Sequence, residues 1–305
     1  MANLQFHNII TISEYHKFRG LPSPEHPLIS VINLADVKNV SEGEHSILLN
    51  FYAITLKRNF NAKIKYGQQE YDFDEGVMFF MSPGQIFRIE VEKDTLLNHS
   101  GWMLLIHPDF LWNTSLSKAI KKFEFFNYAV HEALFLSEKE ENIVTAIMQN
   151  IQQEYHSNID GFSQNVILVQ LELLLTYSNR FYNRQFLTRK ISDHTVLKKL
   201  EDILVGYYEN DTTINNGLPT VQYVATMLNM SPSYLTGLLK VLTGQSTQQH
   251  IHNKVIERAK ERLSITDLTV SEIAYELGFE HPQSFSKLFK SKTNISPLEF
   301  RASFC

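Results

Sequence analysis

The chain has 305 residues, of which 43% are hydrophobic and 20% charged, and its formal net charge at pH 7 is −5. This length is comfortable for two domains. No apolar run is long enough for a transmembrane helix, and the N-terminus lacks the basic-then-apolar order of a signal peptide. One cysteine, Cys305, excludes an internal disulfide framework and a cysteine-based zinc site. We therefore expect a protein of the reducing cytoplasm with no membrane partner.

The acidic charge is carried by the N-terminal part of the chain. Residues 1–189 contain 16 basic and 21 acidic side chains, whereas residues 190–305 contain 12 of each. A neutral C-terminal part does not by itself indicate a nucleic-acid partner, and it is equally typical of a protein-binding module. Contacts with phosphate would depend on local Lys and Arg clusters and on helix N-termini.

Residues 1–28 contain Pro22, Pro24 and Pro27 and show no clear period, which predicts an irregular arm. The part that follows consists of short segments rich in β-branched and aromatic residues, separated by turn residues. Strands are predicted at 46–58, 62–73, 76–83 and 85–92. Many short strands at this spacing favour a barrel or a jelly roll.

Residues 75–88, EGVMFFMSPGQIFR, resemble the second conserved motif of the cupin barrel. Metal-binding cupins place a histidine where Phe87 and Arg88 stand here, and the His-x-His pair of the first cupin motif is missing. Phe and Arg are not useful metal ligands, and the histidines His45, His99 and His107 are isolated in the sequence. We therefore expect no metal and no cofactor.

The pattern becomes helical from about residue 108. Ser137 and Glu140 have the spacing of a capping box, which predicts a helix to about residue 155. A second helix is predicted over 162–186, and two apolar stripes run along it. One stripe consists of Ile167, Leu171, Leu174, Ser178 and Phe181, and the other of Val166, Val169, Leu173 and Tyr177.

Two apolar faces on one helix indicate two packing partners. The first is expected to be the chain's own barrel. The second is expected to be the same helix of another copy, which would make the protein a homodimer through 162–186. The alternative is that both faces are buried within one chain.

A polar stretch at 183–193 marks the expected boundary between a domain at 1–187 and a domain at 188–305. A helix over 195–208 and a loop over 210–219 are predicted to follow the boundary.

The C-terminal part contains an internal repeat. Residues 224–246 align with residues 273–296, with one additional residue in the turn of the second copy, so that Ala225 corresponds to Ala274. A helix over 246–263 is predicted between the copies, and its 18 residues would span about 27 Å. This length is near the roughly 34 Å between successive major grooves on one face of DNA.

The second copy shows how each unit is built. Thr269 and Glu272 form a capping-box pattern, Gly278 is a typical helix end, and Pro282 fits the first turn of the next helix. A polar helix held by a short helix through a tight turn is the geometry that enters the major groove of DNA.

The run IAYELGF–SFSKLF–K–SPLEFR within 271–301 closely resembles the C-terminal signature of AraC/XylS-type transcriptional regulators, and the resemblance covers about the last third of the chain. Asn294 stands where the family usually has glycine, but asparagine tolerates the same left-handed conformation. The resemblance implies an α+β protein. Its N-terminal cupin-like β-barrel would carry a helical dimerisation segment, and an all-α domain with two helix-turn-helix units joined by a long helix would follow.

The same resemblance implies a transcription regulator, commonly an activator, with double-stranded DNA and RNA polymerase as partners. The residues expected to face DNA are Ser233, Tyr234, Thr236 and Lys240 in the first unit and Gln283, Ser284, Lys287 and Lys290 in the second. Gly237 is also expected on the exposed face, and it stands where many members carry arginine, a guanine reader. We therefore predict that the second unit contributes more base specificity.

The N-terminal barrel resembles the sensor domain of the family, whose interior binds a small-molecule effector. Its candidate ligand-binding residues here are Asn50, Tyr52, Arg88 and Trp102. Two alternatives remain open at this point. The barrel could be packed solid and serve only as a dimerisation scaffold, or it could be a cupin-type enzyme fused to a DNA-binding domain.

Overall fold

The computed structural model divides the chain into two compact units, Met1–Gln185 and Phe186–Cys305. The first unit is rich in β-sheet and the second is helical. Among the described residues, no helix is both long enough and apolar enough to cross a membrane. The residues that the structure describes are 5–37, 43–58, 64–66, 69–71, 76–91, 100–129, 132–156, 162–192, 194–209 and 217–303.

Ten strands are described in the first unit. They are β1 (Gln5–Ile9), β2 (Ile29–Asn33), β3 (Gly43–Leu49), β4 (Tyr52–Arg58), β5 (Ile64–Tyr66), β6 (Gln69–Tyr71), β7 (Val77–Met81), β8 (Gln85–Val91), β9 (Ser100–Ile106) and β10 (Leu134–Phe135). A five-stranded antiparallel sheet has the order β10-β7-β4-β9-β2. A three-stranded sheet has the order β1-β3-β8, and β5 pairs with β6.

The two larger sheets share one apolar core. Ala53 and Leu105 of the five-stranded sheet lie in the same cluster as Ile47 and Leu49 of the three-stranded sheet. Because side chains alternate along a strand, only every second residue of β4 and β9 can belong to this inner face. The five-stranded and three-stranded sheets are therefore packed face to face.

The described strands of the predicted cupin-like β-barrel do not close into a barrel, because consecutive strands lie in different sheets; the predicted alternative, a jelly roll, is also built from two packed sheets. The chain leaves the three-stranded sheet between β3 and β4 and returns to it between β7 and β8. The backbone N–H of Gly84 donates to the carbonyl of Leu49 over 2.7 Å, which joins the two crossings. Gly84 has φ 83°, a left-handed conformation that glycine adopts without strain.

Helices accompany the sheets of the first unit. The helix Glu138–Tyr155 begins with the predicted capping box of Ser137 and Glu140. Arg58 at the end of β4 pairs with Glu141 on this helix. The other helices of this unit are Ile12–Phe18, Leu116–Ala119 and the long helix Ser163–Ser192, with 3-10 turns at Leu34–Asp36, Pro108–Leu111, Ile120–Lys122 and Glu124–Asn127.

The long helix Ser163–Ser192 continues through most of the polar stretch 183–193 in which the domain boundary was predicted, and the division between the two compact units falls between Gln185 and Phe186. Its polar side chains bind the neighbouring strand β10. Arg184 donates to the Phe135 carbonyl over 2.7 Å, and Gln185 accepts from the Phe135 N–H over 2.8 Å. Arg184 and Gln185 therefore hold this part of the long helix against β10.

The two stripes of the long helix have different environments. Ile167, Leu171 and Leu174 of the first stripe are buried, with at most 5% of each side chain exposed. Val166, Val169 and Leu173 of the second stripe are 42%, 64% and 42% exposed. The alternative that both stripes are buried within one chain is therefore wrong.

The second unit has one core that contains both repeats and the helix between them. Leu235, Ile251, Val255, Phe285 and Phe289 all belong to this core and are at most 1% exposed. The helices are His194–Glu209, Val221–Met227, Pro232–Thr243, Thr247–Ile265, Val270–Glu276, Pro282–Thr293 and Pro297–Ala302. We call Pro232–Thr243 the first recognition helix, Pro282–Thr293 the second recognition helix, and Thr247–Ile265 the connector.

Candidate nucleic-acid interface

The two helix-turn-helix units are closed by the same backbone hydrogen bond. In the first turn the Met230 N–H donates to the Ala225 carbonyl, and in the second the Phe279 N–H donates to the Ala274 carbonyl, each over 2.9 Å. Both turns need one left-handed residue, which is Asn229 in the first and Gly278 in the second. The repeat found in the sequence is therefore also a repeat in backbone geometry.

The recognition helices begin and end as predicted. Pro232 and Pro282 occupy their first turns. The first recognition helix ends at Gly244 with φ 75°, and the second ends at Asn294 with φ 66°. Asn294 thus adopts the left-handed conformation, and the prediction that this turn survives without glycine is confirmed.

Polar side chains of the connector bind residues of both helix-turn-helix units. Asn253 donates to Gln245 of the first unit over 2.9 Å and accepts from Lys292 of the second over 3.0 Å. Arg262 near the connector's end forms an ion pair with Glu276, the last residue of the helix Val270–Glu276. These bonds and the shared core hold the two recognition helices in one fixed arrangement.

The second recognition helix presents a polar face to solvent. Gln283, Ser284, Lys287 and Lys290 are all exposed, whereas Phe285 and Phe289 are fully buried on the opposite side. The side chains of Gln283, Ser284 and Lys287 make no hydrogen bond or ion pair with any other residue that the structure describes. Their donors and acceptors are therefore available to another molecule.

The first recognition helix exposes fewer polar side chains than the second, and the predicted exposure of two of its residues is wrong. Tyr234 is only 1% exposed, and its ring packs edge-on against Phe186 at 5.0 Å between centroids. Gly237, one turn further on the same face, is also buried. This face of the helix is an inner face because positions three residues apart share one side of a helix.

The remaining candidates on the first recognition helix differ among themselves. Thr236 is half-buried, and its hydroxyl lies 3.1 Å from the hydroxyl of Thr247 at the start of the connector. Ser233 is half-buried, and Lys240 is exposed. Few side chains of this helix can therefore reach a base.

The connector also carries two histidines, His250 and His252. Burial lowers the pKa of His250 and of His252, and the charge of Lys292 lowers that of His252 further. Both histidines are therefore mainly neutral at pH 7.

The candidate effector residues of the N-terminal unit, Met1–Gln185, do not come together. Tyr52 and Trp102 alternate with the inner residues of β4 and β9, so they lie on the outer face of the five-stranded sheet, where Tyr52 packs against Phe126. Asn50 lies between β3 and β4, and its side-chain Nδ2 donates to the Asn8 Oδ1 over 3.0 Å. Arg88 lies opposite Ser46 in β8, and its side chain lies outside the described part of the structure.

The prediction that Tyr52 and Trp102 line the interior is therefore wrong by one position in the strand. The inner face of β4 instead carries Thr55 and Lys57, which follow Ala53 at two-residue steps. That alternation was readable in the sequence once one core residue had been identified, but the sequence alone did not show which parity faces inward.

No group of three or more potential metal-ligating side chains occurs in the described ranges. His45 is buried beside His7, with 3.1 Å between their ring nitrogens, and His107 lies 3.5 Å from Asp109. His99 lies outside the described residues.

Comparison with known proteins places the C-terminal repeat in a family. Residues 224–303 match the family model of a helix-turn-helix domain. The uncharacterized transcriptional regulatory protein YesN of Bacillus subtilis (strain 168) is 43% identical over 77 residues, which are 25% of this chain and 21% of that protein. The transcriptional activator RhaS of Escherichia coli O1:K1 / APEC is 27% identical over 156 residues, which are 51% of each chain.

Among solved structures, the C-terminal domain of the two-component response regulator YesN from Fusobacterium nucleatum is 28% identical, with a TM-score of 0.29. The match covers 33% of this chain and 96% of that domain. The chain spans about a fifth to a half of the length of the two curated relatives.

Two helix-turn-helix units mounted on one connector define a DNA-binding domain of a transcription regulator. The matched family model and the relatives make this assignment specific: residues 224–303 are an AraC-type helix-turn-helix domain, and the two curated relatives described above are named as a transcriptional regulatory protein and a transcriptional activator.

Proposed function

We propose that the protein is a sequence-specific transcription activator that binds double-stranded DNA through both helix-turn-helix units. The observation that carries this proposal is the exposed polar face of the second recognition helix, whose Gln283, Ser284 and Lys287 have no partner among the described residues. Glutamine can bind adenine through two hydrogen bonds, lysine can donate to guanine, and serine fits either base.

Lys290 and Lys240 occupy equivalent late positions in the two recognition helices and are both exposed. Late positions lie farther from the base edges when a helix enters the groove by its N-terminal end. We assign these two lysines to phosphate contacts, which position the domain without selecting sequence.

The connector sets the spacing between the two units. Its 19 residues correspond to about 28 Å at 1.5 Å per residue. Because both recognition helices pack on it in one core, they can enter successive major grooves on one face of the DNA, roughly 34 Å apart. A bipartite operator is the expected target.

The N-terminal unit is proposed to bind a small-molecule effector between its two sheets and to form a homodimer. The dimer is supported by the exposed apolar stripe of Val166, Val169 and Leu173 on the long helix. Such a stripe on a surface helix favours a second helix as its partner. The effector would act by shifting how the two DNA-binding units of the dimer are disposed, and contact with RNA polymerase is proposed on the resemblance to activators.

Selection of DNA from a random pool by the full-length protein tests the proposal. We expect enrichment of a sequence with two conserved clusters of base pairs. A double variant, Gln283→Ala with Lys287→Ala, should enrich a sequence with one cluster weakened. Failure of the wild-type protein to enrich any sequence would contradict the proposal.

A further inference from the structure

Equivalent faces of the two recognition helices differ in their exposure. In the repeat alignment Tyr234 corresponds to Ser284, and Gly237 corresponds to Lys287. Ser284 and Lys287 are exposed, whereas Tyr234 and Gly237 are buried. The face that is open to solvent in the second recognition helix is therefore covered in the first.

The covered face is not part of the core that the two repeats share. Leu235 and Leu239, on the inner side of the first recognition helix, belong to that core. Tyr234 and Leu238 are only 1% and 3% exposed, yet neither is a member of the core as far as the described residues define it. Because Tyr234, Gly237 and Leu238 are three or four residues apart, they lie on one side of the helix. This side is therefore buried by a contact from outside the core.

Phe186 supplies such a contact. It lies near the end of the long helix Ser163–Ser192, and its ring is 5.0 Å from the Tyr234 ring between centroids, at an interplanar angle of 78°. Phe186 is itself only 3% exposed, whereas its neighbour Leu187 is 50% exposed. The end of the long helix therefore lies against the first recognition helix through Phe186.

A recognition helix that is covered in this way does not fit into DNA. The major groove is about 12 Å wide, and an α-helix with its side chains is about 10–12 Å in diameter. Two packed helices have axes about 8–10 Å apart, so the pair is much wider than the groove. The face of Tyr234 and Gly237 has to be uncovered before this helix enters a groove.

We propose that the contact between Phe186 and Tyr234 is autoinhibitory, which rests on the proposed binding of DNA by both helix-turn-helix units. In the covered state only the second recognition helix is open to DNA, and in the uncovered state both are. The apparent dissociation constant for an operator with two clusters is the intrinsic one divided by the uncovered fraction. Release of Phe186 therefore raises operator affinity without adding any new contact to DNA.

Removal of the Phe186 ring from the full-length protein tests the autoinhibition. Phe186→Ala and the wild type are compared by fluorescence anisotropy on the selected operator and on the same DNA with the first unit's cluster scrambled. The second unit's cluster is the one that is weakened by the double variant Gln283→Ala with Lys287→Ala, so the other cluster belongs to the first unit.

Phe186→Ala should bind the intact operator about fivefold or more tightly than the wild type, since an edge-on aromatic pair alone is worth roughly 2-fold to 12-fold in an equilibrium constant. On the scrambled DNA the two proteins should agree within about twofold, because only the second unit contributes there.

Two further variants accompany this comparison. Leu187→Ala truncates the exposed neighbour of Phe186 and should leave both affinities unchanged. Phe186→Leu keeps an apolar side chain but loses the ring pair, so it should show a smaller gain on the intact operator, about twofold to threefold. Thermal unfolding shows whether each variant is folded. If Phe186→Ala does not fold, Phe186→Leu decides, and its failure to gain affinity for the intact operator overturns the autoinhibition.

Two results with folded Phe186→Ala would also overturn it: affinity for the intact operator that does not exceed that of the wild type, or an equal gain on the scrambled DNA. The wild type is measured in addition on DNA with both clusters scrambled. If the wild type does not prefer its operator to this DNA, the regulator role is wrong. If the preference is present while Phe186→Ala shows no gain, only the autoinhibition is wrong.

Discussion

The unequal exposure of the two recognition helices leads to a prediction about which of them reads bases. The perturbation is Gln283→Ala or Lys287→Ala in the second helix, compared with Thr236→Ala or Ser233→Ala in the first. Gln283 and Lys287 have no partner within the described chain, so their truncation should change the free energy of unfolding by less than about 0.5 kcal/mol.

Their effect on DNA binding should be much larger than their effect on stability. A well-placed contact to a base is worth about 1–3 kcal/mol of discrimination, and each 1.4 kcal/mol is roughly tenfold in affinity. Each variant should therefore bind the operator about 5-fold to 150-fold more weakly. Discrimination should be lost at the base pair that the truncated side chain contacts.

Thr236→Ala should show the opposite pattern. Its hydroxyl pairs with Thr247, which is fully buried, so the change leaves a buried hydroxyl without its partner. This costs about 1–3 kcal/mol of stability. At a temperature where the variant is still folded, its operator affinity should stay within about twofold of the wild type, because the Thr236 hydroxyl is bonded to Thr247 and is not available to a base.

Fluorescence anisotropy with a labelled operator at fixed salt measures the affinities, and urea unfolding measures the stabilities. Ser233→Ala is the other variant in the first recognition helix. If the Thr236 and Ser233 variants lose as much operator affinity as the Gln283 and Lys287 variants, the reasoning from exposure is refuted.

Two further predictions concern other parts of the chain. Gly278→Ala should cost about 2–4 kcal/mol of stability, because its Cβ would lie 2.6 Å from the Gly217 carbonyl carbon and φ is 91°. Gly244→Ala, whose Cβ would have nothing within 4 Å, should cost only about 1–2 kcal/mol. Equal losses of stability in urea unfolding would contradict the packing argument. If the proposed homodimer forms through the long helix, Val169→Glu should convert it to a monomer in light scattering at micromolar concentration, whereas Glu172→Gln on the same helix should not. A dimer that is unchanged by Val169→Glu would exclude this face.

Local features of the second unit could be predicted from the sequence. Capping boxes, helix-ending residues and prolines at helix starts depend on neighbours within four residues, so they can be identified without knowing the fold. Asn294 is an example, since only its own backbone conformation had to be judged. The two stripes of the long helix were predicted for the same reason.

Features that depend on distant residues were predicted less well. Tyr234 looks exposed by its position in the repeat, and it is buried because Phe186, 48 positions earlier, packs against its ring. Tyr52 and Trp102 were predicted to face the core, but they alternate with the core-facing residues of their strands and lie on the opposite face of the sheet. A strand's alternation shows that two faces exist, but the opposing sheet decides which of them is the core.

The separation of the two sheets has a similar cause. Short strands with turn residues between them are compatible with one closed sheet or with two packed sheets. The outcome depends on whether each turn continues the ladder or crosses to the other sheet. Here the contact between Gly84 and Leu49 joins two crossings that are far apart in the sequence, and no local pattern contains it.

The central claim is that two helix-turn-helix units on one rigid connector read DNA as a pair. The most direct measurement is the affinity of the full-length protein for its selected operator before and after five base pairs are inserted between the two conserved clusters. Half a helical turn moves one cluster to the opposite face of the DNA, so a rigid connector predicts that affinity falls at least about tenfold. An affinity unchanged by the insertion would show that the two units do not bind as a fixed pair.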